Sequence, residues 1–178
     1  MTLVLGSGQL EREIRDIVET ELPTLETPVI GYVAHLFATS LSPQLWEDVR
    51  NHWIGVTHLE IPAESAERQK VLERKLTHYR RMGDKCLVIS AFYREEADRT
   101  QPPIELAARL GRVGYKAAGF YATVMGQKSE PYATLDYMFL PIAVRIGPRL
   151  LKCRNPPQRI ILHTPYGERV LRVRYSLS

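Results

Sequence analysis

Apolar residues recur at Leu10, Ile14, Ile17, Val18 and Leu22. That spacing closes on one helical face and predicts a helix stopped by Pro23. Val29-Ile30-Gly31-Tyr32-Val33 is a short apolar run and reads as a buried strand. Ser42-Pro43 carries a helix-start signal, serine as N-cap and proline in the first turn. Trp46, Val49 and Trp53 share the inner face of the helix that follows, and 54–61 reads as a strand closed by Pro62. From Ala63 to Met82 the period is helical again. Val71, Leu72, Leu76 and Tyr79 face inward, Glu64 and Arg68 sit four apart on a solvated face, and Gly83 suits the C-terminal cap. The run CLVISAFY, Cys86–Tyr93, predicts a central strand.

Beyond Pro102-Pro103 a helix is expected through Leu106, Ala107 and Leu110. Its small residues permit close packing, but glycine weakens a helix by roughly 1 kcal/mol against alanine, so a break is expected near Gly111–Gly114. Residues 132–146 alternate weakly and read as extended, and Asn155-Pro156-Pro157 as a loop. A hairpin closes the chain. A two-residue Tyr166-Gly167 turn pairs Leu162 with Leu171 and sets Arg159 opposite Arg174. A three-residue loop with Gly167 as the bulge pairs Ile161 with Leu171, and it is preferred because proline suits the second turn position. In either register Leu171, Val173 and Tyr175 form one face, and Arg172 and Arg174 the other. Helices and strands alternate early and strands cluster late. The fold class this predicts is α+β, a single domain over 1–178 with a mixed β-sheet flanked by helices and a C-terminal β-hairpin.

Composition adds little until it is mapped. Hydrophobic residues make up 44% and charged residues 25% of 178, which suits a globular chain with a proper core. No apolar run reaches the roughly 20 residues of a membrane span, and no signal-peptide layout opens the chain. Cys86 and Cys153 form no CxxC, which points to a reducing, cytoplasmic location. The net charge of +4 is uneven. Residues 141–178 hold eight basic residues and one acid, a balance of +7, which leaves −3 for the rest. A basic end on an acidic body favours a polyanion or nucleic acid, bound through residues 145–174. Arg159, Arg169, Arg172 and Arg174 are the candidate anion contacts. The competing reading is arginines that keep an edge strand soluble.

Catalytic constellations are hard to find. His35, His52, His58, His78 and His163 are scattered, with no HxxxH or HExxH spacing. Glu95, Glu96 and Asp98 follow the expected central strand, where chemistry often sits, but they also read as a solvated charge run. Gly111-Arg112-Val113-Gly114 is similar to the GxxG loop with which KH domains clamp nucleic-acid backbone, although a packing-driven helix kink explains it as well.

Several segments, in order, resemble one family. Thr27-Pro28-Val29-Ile30-Gly31-Tyr32, Gln44-Leu45-Trp46-Glu47-Asp48-Val49 and Ile54-Gly55-Val56-Thr57-His58-Leu59 are the first three. Leu87-Val88-Ile89-Ser90, Gly114-Tyr115-Lys116-Ala117, Ala143-Val144-Arg145-Ile146-Gly147 and Arg154-Asn155 follow, and Leu162-His163-Thr164-Pro165-Tyr166-Gly167-Glu168-Arg169 completes the set. Together they resemble the cobalamin-dependent reductases, the epoxyqueuosine reductases and reductive dehalogenases. The resemblance implies a nitroreductase-like layered domain and a bound corrinoid (cobalamin), lined by Gly147, Arg154, Asn155, Thr164, Tyr166 and Gly167. Two cysteines do not supply the iron–sulfur ligands such reductases carry. The resemblance therefore implies a reduced or subunit form, served by an electron-donor protein, with no catalytic residue assigned. The alternative is a non-enzymatic structural, assembly or nucleic-acid-binding protein that uses the basic hairpin, and a homo-oligomer is expected.

Overall fold

The computed structural model describes residues 7–40, 65–95, 106–151, 159–164 and 167–173. Helix α1 spans Ser7–Glu21, α2 Thr27–Ser40, α3 Ser65–Phe92, α4 Leu106–Val124, α5 Tyr132–Tyr137 and α6 Phe139–Leu151. Three short strands complete the fold: β1 Tyr93–Glu95, β2 Arg159–Thr164 and β3 Gly167–Val173. The architecture is α+β and mostly helical. In place of the expected mixed sheet, every strand pairing among the described residues is antiparallel, in the order β1-β3-β2. The expected helix after Ser42 and the strand over 54–61 lie outside the described residues.

Helix α3 is the axis of the molecule. Its 28 residues run about 42 Å at 1.5 Å each. It packs along α4 and α6, while α1 pairs with α2 and touches α6. The helix expected over 63–82 thus continues through Gly83, which caps nothing. Cys86–Tyr93, expected as the central strand, forms its last two turns and the first residue of β1. These residues are buried on all sides. A short, wholly apolar run has no polar face from which to tell helix from strand, and a helix that is apolar all round belongs in a core.

Val29–Val33 is likewise helical. Thr27-Pro28 opens α2 as Ser42-Pro43 was expected to open its own helix, and the Val29 and Ile30 amides both donate to the Glu26 carbonyl, at 2.9 and 3.0 Å. Residues 132–146, expected to be extended, form α5 and most of α6. The α1 expectation agrees with the structure, with Ile14, Val18 and Leu22 buried and Leu10 and Ile17 packed against the core.

The break expected at Gly111–Gly114 is absent, since α4 is continuous. Both glycines face inward where α3 and α4 meet. A Cβ on Gly114 would stand 2.7 Å from the Gly83 nitrogen and 2.8 Å from the Tyr79 carbonyl oxygen. Only hydrogen fits between the two backbones, and that close approach offsets glycine's helical penalty.

Candidate anion-binding face

The hairpin forms, but in neither expected register. Ile160 stands opposite Leu171, Arg159 opposite Arg172, and Thr164 opposite Gly167. Only two residues, Pro165 and Tyr166, separate the strands, and Gly167 takes φ +105°, a value that favours glycine. Ile160-Ile161-Leu162 offers three successive aliphatics, so sequence alone does not say which of them faces in. The structure buries Ile160 with Leu171 and Val173 and leaves Ile161 exposed. The expected division of β3 holds, with Leu171 and Val173 inward and Arg172 exposed.

The one-residue change of register has an electrostatic consequence. Residues directly paired across strands share a face, with Cβ atoms about 4.5–5.5 Å apart. Arg159 and Arg172, both exposed, are therefore neighbours. On the other side of β3, Arg172 pairs with Arg94 of β1. Three arginine positions thus line up across all three strands, at the roughly 4.8 Å spacing of a sheet. Exposed Arg169 pairs with Leu162, three positions along the ladder from Arg159–Arg172, and by strand alternation it lies on the opposite face. Arg174 lies outside the described residues. Nothing local in the sequence marks Arg94, because its partner in the register is 78 positions away.

Of the residues that the corrinoid resemblance assigns, the structure describes Gly147, Thr164 and Gly167. Gly147 lies buried in α6, and a Cβ there would collide with the Ala91 carbonyl of α3. Its missing side chain makes room for a helix, not for a ligand. Thr164 and Gly167 close the hairpin as register partners, at a turn where a Cβ on Gly167 would meet nothing. Arg154, Asn155 and Tyr166 lie outside the described residues. Of the described members, Gly147 is accounted for by the packing of α6 on α3.

Elsewhere the polar interior is structural. Asp84 Oδ1 of α3 accepts hydrogen bonds from the Tyr32 hydroxyl of α2 at 2.7 Å and the Tyr115 hydroxyl of α4 at 2.9 Å. Burial raises the Asp84 carboxyl above its ordinary range, against the pull of these two bonds and of Arg80. Burial, then the charge of Asp84, pushes both phenols upward. The result is a clamp on three helices. Lys75 is buried, with its ammonium 3.4 Å from the Tyr121 hydroxyl and 5.4 Å from that ring's centre.

His35 pairs with Glu11 at 3.2 Å. His78 lies edge-on to Tyr79, ring centres 5.4 Å apart. Among the described residues no group of three His, Cys, Asp or Glu is placed to hold a metal ion, and no helix is long and apolar enough to cross a membrane. The GxxG segment is helical and turns its glycines into the α3–α4 seam, so it is not a nucleic-acid loop.

The fold and this face define a mostly helical α+β protein with an arginine row across a small antiparallel sheet. No protein-family model, curated protein or solved structure matches the chain.

Proposed function

We propose that the chain is a non-enzymatic nucleic-acid-binding protein whose contact face is the outer face of the C-terminal sheet. One observation carries this reading: the register that sets Arg94, Arg172 and Arg159 side by side across three strands. Guanidiniums bind phosphate oxygens through paired N–H donors. The sheet holds them on regular backbone, so little ordering is needed on binding. Residues 141–178 carry a balance of +7 in sequence, which favours an anionic partner. Exposed Ile161, opposite half-buried Val170, places apolar surface next to the charges.

The test is fluorescence anisotropy with labelled single-stranded and duplex oligonucleotides over a salt series. Three phosphate contacts give a log–log salt slope of about −2 for single strands and about −2.7 for duplex. Affinity then falls roughly 15- to 40-fold between 50 and 200 mM salt. An Arg159→Ala, Arg172→Ala double variant is expected to flatten the single-strand slope by about 1.4 while keeping the helical circular-dichroism spectrum. Binding that ignores salt, or that survives the double variant with its slope intact, rules out this face.

A further inference from the structure

A second surface lies on α4, away from the arginine row in sequence and different from it in chemistry. Arg109, Arg112, Val113, Lys116, Phe120 and Val124 recur at helical spacing and are all exposed. At 100° per residue they fall within about 120° of one another, a single face. The inward set on the same helix, Gly111, Gly114, Tyr115 and Ala118, is the seam with α3 and the core. Burying the GxxG glycines therefore turns the two residues between them, Arg112 and Val113, to the outside.

Beside this stripe, α4 and the α5–α6 segment enclose a groove of about 570 Å³, with Ala108 and Val113 on one side and Leu140 and Asp136 on the other. Arg112 spans the gap, its Nε donating to the Asp136 carboxylate at 3.0 Å and to the Asp136 carbonyl at 3.2 Å. Arg109 and Lys116 line the same groove. With Asp136 as its single acid, the lining carries a net +2.

The apolar exposure here exceeds what scattered surface residues explain. Phe120 is 62% exposed, Val113 50% and Leu140 44%, and Val144, one turn beyond Leu140 on α6, is exposed as well. A groove open along its length does not bury the 70–90% of a small ligand that a tight site needs. Its apolar lining is Ala108, Val113 and Leu140 and its cations are Arg109, Arg112 and Lys116; exposed Phe120 and Val124 continue the outer face of α4 beyond it, and Val144 that of α6. From Val113 to Val124 is about 16 Å, three turns of helix.

We infer that this groove docks an acidic amphipathic helix of a partner protein. Apolar anchors spaced i, i+4, i+7 settle on Val113, Phe120 and Leu140. Carboxylates one helical edge away meet Arg109, Arg112 and Lys116, whose three-and-four spacing matches glutamates at i, i+4 and i+7 of an opposed helix. The charge selects the partner and orients it, and the apolar surface holds it.

The experiment uses the full chain and three fluorescein-labelled peptides of about three to five turns, long enough to span the stripe. The first carries leucine at i, i+4, i+7 and i+11 with flanking glutamates. The second has lysines in place of the glutamates, and the third is a scrambled sequence of the first. The glutamate peptide is expected to bind saturably, with a Kd on the order of 10–100 µM, and the other two at least tenfold more weakly. Arg109→Glu with Lys116→Glu is expected to weaken it roughly tenfold or more, and Val113→Ser with Phe120→Ser to weaken it as well. All of these are exposed residues, so the circular-dichroism spectrum stays unchanged, and the charge-neutral Val113→Ser with Phe120→Ser variant also keeps its oligonucleotide affinity. Absence of saturation by 1 mM, equal binding of the lysine peptide, or indifference to both double variants overturns the inference. So does light scattering that shows a dimer dissociated by Arg109→Glu with Lys116→Glu, since the occupant is then a second copy of this chain.

Discussion

Replacing Gly114 with alanine tests the α3–α4 seam, and Gly119 in the same helix is its control. Both changes add one methyl to the interior of α4, and both gain about 1 kcal/mol of helix propensity. At Gly119 the new Cβ meets Tyr132 Cβ at 3.5 Å and Ser129 Cβ at 3.9 Å, ordinary contact. At Gly114 it meets the Gly83 nitrogen at 2.7 Å and the Tyr79 carbonyl oxygen at 2.8 Å. Both are backbone atoms of α3, which no side-chain rotation can move. Reaching ordinary separation requires α3 and α4 to part by roughly 0.7–1 Å along their crossing. That lifts Tyr115 from Gly83 and Gly111 from Cys86, close neighbours in the same seam. Overpacking of this kind costs about 3 kcal/mol at the upper end of its range. After the propensity gain, the net loss is about 2 kcal/mol.

For a chain of this size 1 kcal/mol moves Tm by about 2–4 °C. Gly114→Ala is therefore expected to melt about 4–8 °C lower, and Gly119→Ala up to about 4 °C higher, by circular dichroism at 222 nm. If Gly114→Ala raises Tm as Gly119→Ala does, the two backbones do not meet at Gly114 and the seam is wrongly drawn.

Two further outcomes follow from the buried groups. Burial raises the Asp84 pKa on folding, so the folded state holds the proton longer than the unfolded one as pH rises. The stability that protonated Asp84 contributes is complete below about pH 4 and is lost as pH climbs through the raised value, at up to about 1.4 kcal/mol per pH unit. Urea melts from pH 4 to 8 are expected to show this fall in the wild type and a flatter profile in Asp84→Asn; parallel profiles refute the assignment. Cys86 is wholly buried and its thiol is pushed up by burial. In a Cys153→Ser variant it is expected to resist a thiol-disulfide reagent at pH 8 until urea unfolds the chain, and immediate labelling contradicts its placement in the core.

What the sequence discloses and what it conceals follows from periodicity. Helix α1 is legible because its apolar residues alternate with Glu11, Arg12, Glu13 and Asp16, giving a clear inward and outward face. Cys86–Tyr93 has no outward face, and its β-branched and aromatic residues suggest a strand. The three-helix surroundings override that local preference. Thr27-Pro28 carries the same kind of helix-start signal as Ser42-Pro43, but the apolar run after it, Val29–Val33, suits a buried strand equally well. At the hairpin, strand identity and the β3 faces were readable from Leu171, Arg172 and Val173. The register was not, because Ile160, Ile161 and Leu162 are interchangeable as inward residues. The arginine row depends on that register and on β1, so the sequence singles out Arg159 and Arg172 but neither their alignment nor Arg94.

Both candidate surfaces trace back to α3. Its middle turns carry Gly83 and Asp84, which fix α4 in position through Gly114 and Tyr115. With those residues turned in, α4 has no choice but to present Arg109, Arg112, Lys116 and Phe120 outward. Its last turn carries Ala91, against which Gly147 seats α6, and after Phe92 the chain passes directly into β1 with no linker. Arg94 is thereby held two residues from a rigid core helix, and β3 and β2 extend the row from there through backbone ladders. An apolar run that looks like a central strand thus performs a different task. As the buried end of a helix it aligns α4 and α6 and sets the first strand of the sheet, and the charged faces follow from what it forces outward.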